Sequence, residues 1–261
     1  MSLKYTNSND DSITFDGNTY LLIDFEGLGG IPTNLQLQKA PFQDGSSYID
    51  SLLEDRAISI EGVLVGSNVA TLRTNMMNVF NPKLSGTLQY TYDSLNYSVD
   101  VYIDQPPVFL SGTQNKGPAF QRFTLSLIAP DPLWYAPATI YALSASFSVT
   151  NAGDVATPIE LLIEADGDDV VNPKITNTTT GEYIELDYTL PDGYDIYINT
   201  AFGQKEVTEI TDGNNRSSLF GDVTAASTLF WLEPGTHTIT YARDSGNRLG
   251  EMRFRNRYLG V

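Results

Sequence analysis

The side chains that most often do chemistry are scarce in this sequence. Histidine occurs once, at His237, inside a segment of strand periodicity, where a lone imidazole more often packs or meets solvent than acts as a base. Cysteine is absent, which removes thiol nucleophiles, thiolate zinc sites and any disulfide framework. No G-x-S-x-G elbow, H-E-x-x-H pair, Walker loop or Rossmann glycine run is present. Asp166-Gly167-Asp168-Asp169 has the composition of a calcium loop, but Val170 takes the third ligand position of that spacing, so the stretch reads as an acidic turn. Carboxylates paired for glycoside hydrolysis meet only in space, and nothing local promotes one pair among 32 acidic residues. The expectation is a chain with no catalytic residue, no metal site and no cofactor.

Two groups of residues could bind rather than react. Arg243, Arg248, Arg253, Arg255 and Arg257 gather at one end of an acidic chain. If residues 253–257 form one strand, Arg253, Arg255 and Arg257 share a face while Phe254 points the other way. Such a face suits contact with an acidic neighbour, another copy of the chain included. Trp231, Tyr183 and Tyr188 could instead offer rings to a cell-wall sugar, although Phe230 and Leu232 flank Trp231 and favour a core position.

The elements that must carry these residues are mostly strands. The 261 residues are 41% hydrophobic, with 15 Tyr and 12 Phe, enough for real cores in one large β domain or two ordinary ones. The formal charge of -17 repels nucleic acid and excludes a phosphate-binding surface as the main role. The first residues lack the apolar core of a signal peptide, and no run approaches a membrane span. Folding in a cytosol is expected, where the sequons at Asn96, Asn177 and Asn215 would stay unglycosylated.

Ala119 to Tyr135 divides the chain. Phe123, Leu125 and Leu127 alternate with Arg122, Thr124 and Ser126 as in a half-buried strand. Pro130 and Pro132 then remove two backbone donors just before Trp134 and Tyr135. Before this stretch the pattern predicts a hairpin over Ser12–Phe25, a polar excursion, extended or hairpin, between Gln36 and Leu53, and a strand over Arg56–Val65. One helix follows over Asn68–Phe80, with Leu72, Met76 and Phe80 as its stripe and Asn81-Pro82 as its stop. A second hairpin is expected to turn over Asp93–Asn96 and to end at Gln105-Pro106-Pro107. Beyond Ser144 the helix signal is lost, and nine short strands with Gly-rich turns, Asp212-Gly213-Asn214 among them, predict a β-sandwich. The expected strands include Ser227–Trp231 and Glu251–Tyr258. The fold class is mainly β, with an α+β domain over 1–138 and a second domain over 139–261.

Several stretches in this order resemble one family. They are Arg56-x-Ile58-x-Ile60-x-Gly62, Phe80-Asn81-Pro82 with Gly86-x-Leu88 and Tyr90, and Asp131-Pro132-Leu133-Trp134. Beyond these come Asn151-x-Gly153-Asp154, Thr157-Pro158, Asn172-Pro173, Gly193 with Ile196-x-Ile198-x-Thr200, and Pro234-Gly235. The pattern is similar to that of the distal tail proteins of long non-contractile-tailed bacteriophages. The resemblance departs at His237, where members often carry Asn. It implies a ring of six copies closed by the first domain, single or paired back to back, and a galectin-like sandwich on the outside. The implied partners are the tail tube, the tail-tip protein and receptor-binding proteins, with DNA only passing through the channel and no membrane contact.

Overall fold

Period-two alternation is what this fold is made from. A computed structural model describes residues 2–211 and 215–261, so the turn expected at Asp212-Gly213-Asn214 lies outside the described residues. The chain divides into two units, Met1–Ala136 with Tyr258–Val261, and Pro137–Arg257. The last four residues thus belong with the first unit.

In the first unit the strands are Ser2–Asn7 (β1), Ser12–Phe15 (β2), Tyr20–Glu26 (β3), Thr33–Gln38 (β4), Ser47–Leu53 (β5) and Arg56–Val65 (β6). After the helix Val69–Val79 (α1) come Gly86–Tyr92 (β7), Leu95–Phe109 (β8), Phe120–Ala129 (β9) and Trp134–Tyr135 (β10). Seven of them form one antiparallel path, β2-β1-β7-β8-β9-β6-β3. The path curls until β2 and β3 touch again, and every strand turns its apolar set inward. β9 is an interior strand of this wall, with Phe123, Leu125, Leu127 and Ala129 buried and β8 and β6 on either side. Burying such a set at about 25 cal/mol per Å2 is the main term holding the unit together.

Helix α1 closes the inside of the curl. Asn68 caps it by accepting a 3.2 Å hydrogen bond from the Thr71 amide. Met76 and Phe80 are fully buried and Leu72 packs beside them, whereas Met77 faces solvent. Phe80 stacks on Tyr5 of β1 at 4.4 Å between ring centres. Gly62 of β6 is required by close approach, because a Cβ there would lie 2.5 Å from both the Leu21 carbonyl and the Phe123 ring.

Three local expectations change. Ser12–Phe25 holds the two expected strands but no hairpin: β2 pairs with β1 and β3 with β6, so the turn at Gly17 joins strands that bond elsewhere. β8 does not stop at Pro106-Pro107; register shifts between Ile103 and Gln105 and between Gln105 and Val108 absorb the missing donors. The β7–β8 turn is also tighter than expected, with Asp93 and Ser94 both at positive φ and Tyr92 paired to Leu95, as a two-residue primed turn demands.

The second unit is a sandwich of two antiparallel sheets. Its strands are Thr139–Ala142 (β11), Ser146–Asn151 (β12), Thr157–Glu164 (β13), Val170–Val171 (β14), Lys174–Asn177 (β15), Tyr183–Glu185 (β16) and Thr189–Leu190 (β17). They continue as Asp195–Asn199 (β18), Glu206–Ile210 (β19), Arg216–Ser218 (β20), Trp231–Leu232 (β21), Gly235–Ala242 (β22) and Leu249–Phe254 (β23). Arg257–Tyr258 (β24) ends the series where the chain returns to the first unit. One sheet runs β11-β23-β13-β18-β19-β20 and the other β12-β22-β15-β16. Ile159, Leu161, Ile196, Ile198 and Met252 of the first face Val149, Ile175, Ile184 and Ile239 of the second in one core. Two expected strands change: of the 227–231 run only Trp231 lies in a strand, which continues to Leu232, and the last strand breaks after Phe254.

Candidate interaction surface

The first unit carries one element with no core of its own. β4 and β5 pair only with each other, in a two-stranded sheet apart from the curled wall. Thr33 lies opposite Leu53, Leu35 opposite Ser51 and Leu37 opposite Tyr48, and paired residues point to the same side. A register shift between Gln36 and Leu37 brings Tyr48 onto the side of Leu35, Leu37 and Leu53. The opposite side carries Asn34, Gln36, Gln38, Ser47 and Asp50, with Leu52 as the one apolar residue among these pairs. The hairpin is therefore amphipathic, yet its apolar side is uncovered: Leu35 is 57% exposed, Leu37 56% and Tyr48 62%. At the tip Phe42 adopts a positive φ and stands fully exposed. A lone two-stranded hairpin is marginal in water, and a contiguous apolar side of this kind marks a contact surface. The sequence showed this segment as a polar excursion, extended or hairpin; the alternation of Leu35 and Leu37 with amides was the available signal for its apolar side.

The root of this arm is tied down by one buried cation. Arg56, the first residue of β6, is 1% exposed and donates four hydrogen bonds, all to backbone carbonyls. Its Nε reaches Pro132 at 2.6 Å, one Nη reaches Gly27 at 2.7 Å and Gly29 at 2.6 Å, and the other reaches Leu259 at 2.8 Å. Burial lowers its pKa from the ordinary arginine value. The buried Trp134 ring lies 5.9 Å from the guanidinium, and its indole N–H donates to the same Gly27 carbonyl at 3.3 Å. Gly27 sits at φ +119, and a Cβ there would strike Ile58 at 2.8 Å. Three residues singled out in the sequence, Arg56, Pro132 and Trp134, thus meet at one point. Asp131 beside them turns the chain by accepting from the Leu133 amide, and Asn81 does the same for Lys83 ahead of Pro82.

In the second unit the singled-out residues serve turns and strand ends. A Cβ on Gly153 would fall 2.4 Å from the Arg257 carbonyl, the Pro173 carbonyl accepts from Leu186, and Gly235 opens β22 at φ +119. The three arginines do not form one strand face, because β23 stops at Phe254. Arg253 bonds Glu251 and pairs across the sheet with Glu160, Arg255 is exposed beyond the strand, and Arg257 lies over the Trp231 ring at 5.8 Å. Trp231 also donates to the Thr200 carbonyl at 2.8 Å, so Phe230 and Leu232 take the core positions while its own ring stays half-buried and covered. Lys174 sits 3.9 Å over Tyr183, and Tyr188 donates to Glu209 at 2.5 Å. Burial and that carboxylate push the Tyr188 hydroxyl up to about 12. His237 is buried between Asn177 and the Glu233 carbonyl, 3.2 and 2.8 Å away. Among the described residues no group of three His, Asp or Glu is placed to hold a metal ion, and no helix is long and apolar enough to cross a membrane.

Two family models cover most of the chain. A phage tail protein RIFT-related domain matches residues 11–129, and the siphovirus-type tail component C-terminal domain matches residues 152–258. The chain belongs to the siphophage distal tail protein family. The crystal structure of the Dit protein of phage SPP1, described as a paradigm of the hub adsorption apparatus in phages infecting Gram-positive hosts, superposes with a TM-score of 0.74 at 13% identity, covering 98% of this chain and 99% of that one. A chain of the phage P2 baseplate in its activated conformation with calcium superposes at 0.60 with 10% identity over the whole of both chains. The same baseplate with strontium gives the same values. Curated protein sequences give no match. The family is one of structural tail proteins, so the chain is a structural part of the phage tail hub or baseplate and a component of the virion.

Proposed function

We propose that this distal tail protein closes a ring of six copies at the far end of the tail. The expected first domain, residues 1–138, forms the ring together with the last four residues, and the rest of residues 139–261 forms a galectin-like sandwich on its outside. The tail tube lies on one side of the ring and the tail-tip proteins on the other, with receptor-binding proteins at the rim and DNA passing through the centre. The single observation behind this reading is the β4–β5 arm, an amphipathic hairpin whose apolar side is more than half exposed at Leu35, Leu37 and Tyr48. An arm that leaves one copy to lie on a different surface of the next makes a head-to-tail contact, the kind that closes rings. A surface charge of -17 suits a channel that must not hold phosphate. The chain is synthesised in the host cytoplasm. No observation favours the carbohydrate reading, since Trp231, Tyr183 and Tyr188 each already have a partner on the ring or its polar atom. Light scattering on a sizing column with negative-stain images tests the proposal. Six-fold mass and ring-shaped particles are expected, and a monomer at every concentration, alone and with the tail-tube protein, would refute it.

A further inference from the structure

Both legs of the arm end beside the same side chain. The incoming leg leaves β3 at Glu26 and reaches β4 at Thr33 through Gly27–Pro32, a loop without strand partners. Arg56 holds that loop at the Gly27 and Gly29 carbonyls. The outgoing leg leaves β5 at Leu53 and, after Glu54 and Asp55, becomes Arg56 itself. Between the legs the Glu54 amide donates to the Pro32 carbonyl at 2.8 Å. A third segment backs the loop from behind, where the Val261 amide donates to the Leu28 carbonyl at 3.0 Å and Arg56 holds the Leu259 carbonyl.

We propose that Arg56 is the positioning residue of the assembly arm, fixing the direction in which β4–β5 leaves the curled wall. The inference rests on reading the arm as the self-assembly surface. A buried cation bonded only to carbonyls adds little net stability, but it dictates where those carbonyls sit. The planar guanidinium offers donors in a rigid fork, and here the fork meets carbonyls from three separate segments, residues 27–29, 132 and 259. An ammonium presents three donors from one nitrogen and cannot span them. Trp134 completes the device by fixing the guanidinium plane and adding a second donor to the Gly27 carbonyl. Arm direction matters because neighbouring copies in a ring must all present the arm at one angle, or closure fails.

Hydrogen exchange read alongside solution mass tests this. Arg56→Lys is expected to speed exchange in residues 27–53 about tenfold or more, the scale of losing hydrogen bonds made by a charged donor. Exchange in β8 and β9 stays slow, and the concentration needed for assembly rises by a similar factor. Trp134→Phe gives a smaller acceleration confined to the loop 27–32, and it keeps the test in hand if Arg56→Lys does not fold. Arg122→Gln, on the outer face of β9, changes neither readout. Unchanged exchange at 27–32 would overturn the proposal, as would an acceleration spread evenly over β6, β8 and β9, which marks plain loss of core packing. A wild-type chain that never self-associates would refute the assembly reading separately, and the exchange comparison would still decide whether Arg56 holds the root.

Discussion

Two hairpins of the first unit, β7–β8 and β4–β5, show the same antiparallel pairing and the same alternation, and they end in opposite states. In β7–β8 the inward residues Leu88, Val99 and Val101 are fully buried under the rest of the wall. In β4–β5 the equivalent side, Leu35, Leu37 and Tyr48, is more than half exposed. Alternation alone states that one side of a ribbon is to be covered; it does not say by which chain. The first hairpin finds its cover within the unit, and the second has to find it elsewhere.

The sharpest test exchanges the two. Leu88→Ala opens a cavity in the wall and should destabilise the unit by about 2–5 kcal/mol, read from denaturant unfolding. Leu35→Ser with Leu37→Ser should leave that unfolding midpoint where it is and abolish assembly, read by light scattering. If the arm variant unfolds the unit as the core variant does, the contrast between the hairpins is wrong. A smaller effect is expected at the cap of α1, where Asn68→Ala should cost about 1 kcal/mol by the same unfolding measurement.

The second unit supplies a pH test. Burial, and then the bond to Glu209, raise the Tyr188 hydroxyl from its ordinary 10.0 to about 12. A raised pKa means the protonated form is favoured by folding. The associated stability is therefore complete below about pH 10 and is lost as the pH climbs through 12. Tyr188→Phe should remove a late step from the ultraviolet titration of the tyrosines and flatten the alkaline loss of stability. The smallest change belongs to Glu61→Gln. Its 4.0 Å ion pair with Arg122 is well exposed, so stability should move by less than about 0.5 kcal/mol.

The sequence showed what local pattern dictates. Strand β6 has the bounds its alternation predicts, and α1 starts at its Asn68 cap and stops at Asn81-Pro82. It did not show what depends on distant partners. The turn at Gly17 suggested that β2 and β3 pair, but each finds a better neighbour elsewhere, and bulges carry β8 through two prolines that end most strands. The resemblance singled out Arg56, Pro132 and Trp134 without a reason, because the reason lies in carbonyls as far away as Leu259. The arm was legible as an extended or hairpin excursion, but its apolar side stayed hidden behind amide and serine content, and its exposure could not be known until the rest of the unit had folded without it.

The absence of native cysteine allows one direct measurement of the central claim, that a neighbouring copy covers the apolar side of the arm. A thiol placed by Leu37→Cys can be labelled against no background, with Tyr92→Cys at the exposed β7–β8 turn as the reference. The account predicts that Leu37→Cys labels slowly in the assembled peak and quickly in the dissociated chain, while Tyr92→Cys labels quickly in both. Equal labelling of Leu37→Cys in the two states would contradict it.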